Sequence, residues 1–533
     1  MSRCLIAGEH AQKSGDKSPH SKGMALFLGL VLLGGPLGTR LYAAGEGLLT
    51  VTVVDDKTHQ PISCRMHLVG PGKRPRKADP MPFWSDHFVF PGKITLKLPV
   101  GKYTFQIQRG PEYLTQDGHF VIDHFAEDSK EVPLRRFVDL TAEGWYSGDL
   151  YVRRPVRDAE LLMSADDLHV AQFVTWWNDK IDSPGRAEPK QPLVCFDENR
   201  CYQTKAGGFA RGGTELLYFN LPAPLHQDPS GARGASAEYP SEMKYLLKAR
   251  ENPDTWVDLT APYWWDLPML VAMGQVDSIE VLNSHMCRHS LIMDEGDGRP
   301  RDRKLYQNPF GNARWSQHIY FQLLECGLRI PPSAGSGSGV APNPLGYNRV
   351  YVHLDGPFSY EAWWKNFRAG HVFVTNGPLL RPTVEGELPG HVFRADAGKE
   401  LDLDIGLTLS TADPISYLEI IQNGQIKESV RLDQFIKTGR LPHLHFKQRG
   451  WFLIRAVTDL SDTYRFAMTA PYYVEIGYGR RVSKQAAQFF LDWVYERARQ
   501  IKLTDPQQRS EVLDYHRKAR DYWQDVVAKA NAE

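Results

Sequence analysis

Residues 144–155 read Gly-Trp-Tyr-Ser-Gly-Asp-Leu-Tyr-Val-Arg-Arg-Pro, and they open a long segment in which strand-like and helical patterns take turns. From residue 137 to about 382 the apolar runs are Ala171-Gln-Phe-Val-Thr-Trp-Trp177, Leu216-Leu-Tyr-Phe-Asn-Leu221 and Val276-Asp-Ser-Ile-Glu-Val-Leu282. Helical patterning covers 241–250 and 317–326. Strands alternating with helices argue for an α/β unit with largely parallel strands. If those strands close into a barrel, chemistry belongs at their C-terminal ends.

The flanks are patterned differently. Over 47–136, Leu49-Thr-Val-Thr-Val-Val54 alternates, a turn follows, and Ile94-Thr-Leu-Lys-Leu98 alternates again. Short alternating runs divided by turn residues predict a small β-sandwich. This stretch resembles the carboxypeptidase-regulatory-like modules of exported proteins, which implies a scaffold or recognition role. Over 383–478 the alternation returns, with an Asn423-Gly424 turn after one run, and predicts a second sandwich. Residues 479–533 form a helical tail. Asp505-Pro506 followed by Gln508 has the cap, first-position proline and third-position Gln of a helix start.

The N-terminus reads as an export leader over 1–44. Met24-Ala-Leu-Phe-Leu-Gly-Leu-Val-Leu-Leu-Gly-Gly-Pro-Leu37 is an apolar run after a polar, Lys-bearing start, and Ala43-Ala44 offers a small-residue exit. The run is short and broken by Gly and Pro for a membrane span of about 20 residues. The destination is periplasmic or extracellular, with membrane attachment only through an uncleaved leader. Six cysteines include Cys195 and Cys201, spaced to bridge a short loop. Lys plus Arg and Asp plus Glu both total 63, and zero net charge gives no electrostatic case for a nucleic-acid partner. The 13 Trp and 23 Tyr supply either core mass or stacking platforms for a ligand.

Several segments resemble the CehA/McbA branch of the PHP-type metallohydrolases. That pattern opens Gly-Asp-Leu-His-x-His, and its two histidines fall on Tyr151 and Arg153 here. Its Thr-Asp-His segment becomes Thr175-Trp176-Trp177, its His-Pro becomes Ala261-Pro262, and its closing Gly-Ser-Asp-x-His becomes Gly335-Ser-Gly337-Ser-Gly339. The segment Asp277-Ser-Ile-Glu280-Val-Leu-Asn283 keeps the pattern, and residues 349–353 and 368–378 add to the likeness. The resemblance implies a central, distorted PHP-like β/α barrel flanked by the two sandwiches. It also implies hydrolysis of ester or carbamate-type bonds by a metal-bound water. The residues argue against that chemistry, because Arg has no lone pair and Trp and Gly offer no side-chain ligand. Asp149, Glu280 and Asn283 remain as candidate catalytic groups.

Three functions follow. In the first, the metal site is degenerate and the barrel mouth, lined by Tyr151, Arg153, Trp176, Trp177 and Trp264, binds a small molecule or saccharide. In the second, a rearranged metal site uses His285 and His289, four residues apart and on one face if the segment is helical, with Asp149 and Glu280. A divalent metal is a cofactor only in that case. In the third, the protein is structural or adhesive at the cell surface. Two glycine pairs around Arg211, Gly207-Gly208 and Gly212-Gly213, suggest a mobile loop.

Overall fold

The computed structural model describes residues 45–178, 180–181, 191–225 and 238–533. The leader, 1–44, lies outside the described residues. Among these, no helix is long and apolar enough to cross a membrane. The protein is multidomain and mostly β-sheet, with a smaller number of helices.

The first unit is built from two sheets. In one, Glu46–Asp55 pairs antiparallel with Lys93–Pro99 and parallel with Glu127–Leu134. In the other the order is Phe83–Trp84, His87–Phe90, Cys64–Val69, Gly101–Gln108, Gln116–Ile122. Strand alternation sorts the side chains. Met66, Leu68, Phe88 and Phe90 meet Val51, Val53 and Ile107 in the core. Arg65, His67, His87 and Val89 occupy the opposite face and are nevertheless buried, because the central unit covers them. Val89 packs there against Ala159, Leu162 and Met163 of the Ala159–Ala165 helix.

In the central unit Trp145–Val152 pairs parallel with Val170–Trp177, which pairs parallel with Arg200–Arg211. The chain then doubles back antiparallel through Thr214–Phe219 to Trp256–Leu259. Parallel pairing resumes through Ser278–Leu282 to Pro332–Ala334. A bridge between Val152 and Ser338 joins the two ends of this run. Pairing is therefore mixed, where largely parallel strands were expected. The cause is local: Gly212, at φ +61°, allows a tight turn, so a hairpin replaces a helical crossover. Gly207 and Gly208 are not in that loop; they lie inside the Arg200–Arg211 strand.

The two strand glycines have a steric role. In the parallel register Trp176 faces Gly207 and Trp177 faces Gly208. Consecutive residues point to opposite faces, so one indole lies over each glycine on each side of the sheet. A Cβ on Gly207 would stand 1.7 Å from Trp176 Cε2, and one on Gly208 would stand 2.0 Å from Trp177 Cζ3.

Arg349–His353 pairs antiparallel with both Trp145–Val152 and Val372–Thr375, and the latter pairs with Phe466–Thr469. One sheet thus continues from the central unit into the C-terminal sandwich, and the strand Leu379–Val384 runs through residue 382. Helices Lys484–Gln500 and Pro506–Ala528 pack back on the body through Phe490, Trp493, Val494 and Trp523. Trp493 and Trp523 are buried, and Trp523 Nε1 donates to the Pro268 carbonyl at 2.9 Å. Asp505 Oδ1 accepts from the amides of Gln507 and Gln508, the expected cap. Cys195 and Cys201 are opposite each other in the Leu193–Phe196 hairpin and form a disulfide.

Gly207→Ala should destabilise the fold by about 1–3 kcal/mol through overpacking against Trp176. A urea unfolding midpoint would read this. Adding Trp176→Leu should restore part of the loss, since residues in contact are not additive. Independent, summed effects would overturn the account.

Candidate functional site

Asp149 lies at the heart of the central unit and is fully buried. Its Oδ1 accepts from the amides of Tyr151 at 3.1 Å and Ser336 at 3.0 Å, and its Oδ2 accepts from the Gly346 amide at 2.7 Å. Three backbone N–H groups take up most of its acceptor capacity. Asp149 is therefore a tie between the first strand and the 335–346 segment, not a free acid or base. Burial pushes its carboxyl up to about 6, against the lowering effect of those amides.

The glycine segment 335–339 leaves no open floor at the mouth. Its bare backbone moves in. A Cβ on Gly335 would stand 2.1 Å from Glu280 Oε1, and one on Gly339 would stand 2.2 Å from the Arg153 carbonyl oxygen. Gly337 and Gly339 have φ of +60° and +103°. The Arg153 amide donates to the Ser338 carbonyl at 2.7 Å.

Beneath lies a pair of acids. Asp258 Oδ1 accepts from the hydroxyls of Ser278 and Ser333, the latter at 2.6 Å. Asp258 Oδ2 and both Glu280 oxygens have no other donor, and the raised affinity of both acids for protons fits one proton held between them, with one Glu280 oxygen left unmet. Burial pushes Asp258 up to about 7 and holds Glu280 well above the usual carboxylate range, with the charges of Asp258 and Asp149 adding to the rise. Asn283 is a structural member of the same floor. Its Nδ2 donates to Ser316 Oγ at 3.2 Å and its Oδ1 accepts from the His285 amide.

The rearranged metal set is not assembled. Residues 283–291 form turns and bends instead of a helix, so His285 and His289 do not share a face. His285 Nδ1 sits 3.1 Å from the Tyr263 hydroxyl and 3.0 Å from the Asp294 carbonyl oxygen. His289 is exposed, with Nε2 against the Arg288 guanidinium. Among the described residues, Asp149, Asp258, Glu280, His285 and His289 bring no three ligand atoms within 4.8 Å of one another. These residues do not fit a divalent ion.

The mouth is only partly as expected. Tyr151 stacks on Trp177, with centroids 5.9 Å apart and planes at 6°, and the Arg153 guanidinium lies 4.6 Å over the Trp177 ring. The Tyr151 hydroxyl reaches Glu215 Oε1 at 3.4 Å. Trp264 Nε1 donates to Thr260 Oγ1 at 3.0 Å, and Thr260 Oγ1 to the Glu215 carbonyl. Arg153, Trp177, Glu215 and Trp264 are each partly exposed; Tyr151 is buried below them. Trp176 is not part of the mouth. It points to the other face of the sheet, stacks on Tyr218 and donates to the Lys205 carbonyl.

Asp258 and Glu215 escaped the sequence reading. Each is one carboxylate within a short apolar run, Trp256-Val-Asp-Leu259 and Thr214-Glu-Leu-Leu217. A lone acid on a buried strand was the available signal. Burial pushes Glu215 up to about 7.

No family model matches this chain, and no curated protein matches it significantly. The Bacillus anthracis TIE protein is 20% identical over 21% of this chain and 20% of its own, with a TM-score of 0.14. The chain thus spans about a fifth of that protein. Clostridium thermocellum CbhA fibronectin(III)-like modules are 21% identical over 18% of this chain and 97% of theirs, with a TM-score of 0.13. At these scores neither likeness carries an argument.

The shared proton makes a pH prediction. A carboxyl raised to about 7 contributes stability that is complete below its ordinary value near 3.8 and lost as pH rises through 7. Asp258→Asn keeps the serine bonds and offers Glu280 an N–H without that loss. The variant should therefore gain melting temperature relative to wild type between pH 5 and 8. Buried neutral His169 and His516 act in the opposite direction, but they are common to both proteins and cancel in the difference. A difference that does not change with pH would refute the shared proton.

Proposed function

We propose that this chain is an exported homologue of PHP-type metallohydrolases that binds a small molecule or saccharide without hydrolysing it by the family's metal chemistry. The seven-strand run from Trp145–Val152 to Pro332–Ala334, bridged end to end, supports a distorted PHP-like barrel. The observation that carries the loss of metal chemistry is Asp149. In the first segment of the PHP pattern it spends its oxygens on backbone amides, one of them that of Ser336 in the segment that would close the metal site and one that of Gly346 just beyond it.

Binding then belongs at the rim. Trp177 supplies an aromatic surface, Arg153 a fixed cation, and Glu215 an acid that carries its proton up to about pH 7. That combination suits a ring bearing hydroxyl or carboxylate groups. The buried Asp258–Glu280 pair lies behind Tyr151 and Gly335, out of reach of a substrate, and serves the fold.

Thermal unfolding with neutral and acidic saccharides and small carboxylates tests this. A ligand at 100 times its Kd should stabilise the folded state by about 2.7 kcal/mol. Trp177→Ala and Arg153→Ala should each remove most of that rise. No rise with any probe would leave the structural or adhesive reading; turnover of an ester or carbamate by the metal-loaded protein would overturn the proposal.

A further inference from the structure

A second cluster lies far from the rim in sequence, on the buried outer face of the first sandwich. His67 and His87 stand on neighbouring antiparallel strands. The register Cys64–Phe90, Arg65–Val89, Met66–Phe88 continues to place them opposite each other. Alternation turns both away from the sandwich core, toward the central unit. Asp86 sits in the tight turn just before His87, after Ser85 at φ +52°. Its Oδ2 is 3.1 Å from His67 Nδ1 and its Oδ1 is 3.0 Å from His87 Nδ1. Among the described residues this is the group of three His, Cys, Asp or Glu whose ligand atoms all lie within 4.8 Å of one another.

We propose that His67, Asp86 and His87 form a binding site for a divalent transition-metal ion of the zinc class, at the seam between the first sandwich and the central unit. Two imidazoles and one carboxylate are a zinc-type donor set. Bonds of about 2.0–2.2 Å to a tetrahedral ion put ligand atoms roughly 3.3 Å apart, close to the two separations found here. The imidazoles are 92% and 98% buried in their side chains, whereas the Asp86 side chain is 33% exposed, which leaves an entrance and a position for water. His67 Nε2 is buried and has no hydrogen-bond partner.

A cation already stands at the triad in this structure. The Arg288 Nη1 is 3.4 Å from His67 Nδ1 and 3.6 Å from Asp86 Oδ2. Its contacts with the triad are long, and the same Nη1 also meets His289 Nε2. A metal ion bonded directly to the three donors would displace this side chain. The site takes nothing from the proposed rim, so the two readings stand or fall separately.

Zinc chloride titrated into the metal-stripped full chain, with cobalt chloride as a spectroscopic reporter, tests it. One equivalent should bind, and cobalt should show the intense visible bands of a low-coordinate site. His87→Ala and Asp86→Asn should each weaken binding by about tenfold or more. Arg288→Ala should tighten it, an effect that a purely hydrogen-bonded seam would not produce. Glu280→Gln should leave it unchanged, which separates this site from any barrel metal. Absence of stoichiometric binding in both wild type and Arg288→Ala would overturn the proposal. So would binding that survives both ligand substitutions.

Discussion

The carboxylate of Asp149 holds the central unit together. It gathers the amides of Tyr151, Ser336 and Gly346, which lie almost 200 residues apart in the chain. Each bond from a backbone N–H to a charged acceptor is worth about 1.5–3 kcal/mol, and losing the acceptor strands three buried donors. The position of the glycine segment follows from this tie. With that segment drawn inward, Gly335 meets Glu280, and Ser338 bridges Val152. The first sandwich is then fixed as well, since Trp84 Nε1 donates to the Ala341 carbonyl within the same segment, at 2.8 Å.

Closing the segment has an electrostatic consequence. Asp258 and Glu280 are left in a low-dielectric interior without a compensating cation. Isolated carboxylates cannot stay ionised there, because the desolvation cost is many kcal/mol. Protons offset what a divalent ion would otherwise neutralise. Two serine hydroxyls and one shared proton leave a single Glu280 oxygen without a partner.

Much of the architecture was legible. The two sandwiches, the capped tail helix at Asp505 and the Cys195–Cys201 bridge all follow from local rules of alternation, capping and spacing. The mixed pairing was harder to see, because one Gly212 turn converts a crossover into a hairpin without changing the apolar pattern. The direction of Trp176 and Trp177 was open to derivation, as adjacent strand residues must face opposite ways, yet both were assigned to one mouth. The partners of Asp149 and Asp258 were not legible. They depend on contacts with residues 336, 346 and 333, and no periodicity in the chain encodes such distances. The His67–His87 pair was hidden for a related reason, since only strand register brings residues 20 apart face to face.

The interior of the central unit and the seam of the first sandwich show how donor type decides the outcome of burial. Both bring acids out of water. In the interior, acid meets acid, and the stable arrangement is neutral and protonated. At the seam Asp86 meets two imidazoles. Against the opposing pull of burial, their hydrogen bonds hold its carboxyl below the ordinary range, so the charge remains. Arg288 stands beside this partly exposed anion, with Nη1 3.6 Å from Asp86 Oδ2. The same fold therefore holds one set of acids neutral through protons and keeps another acid charged through hydrogen-bond donors.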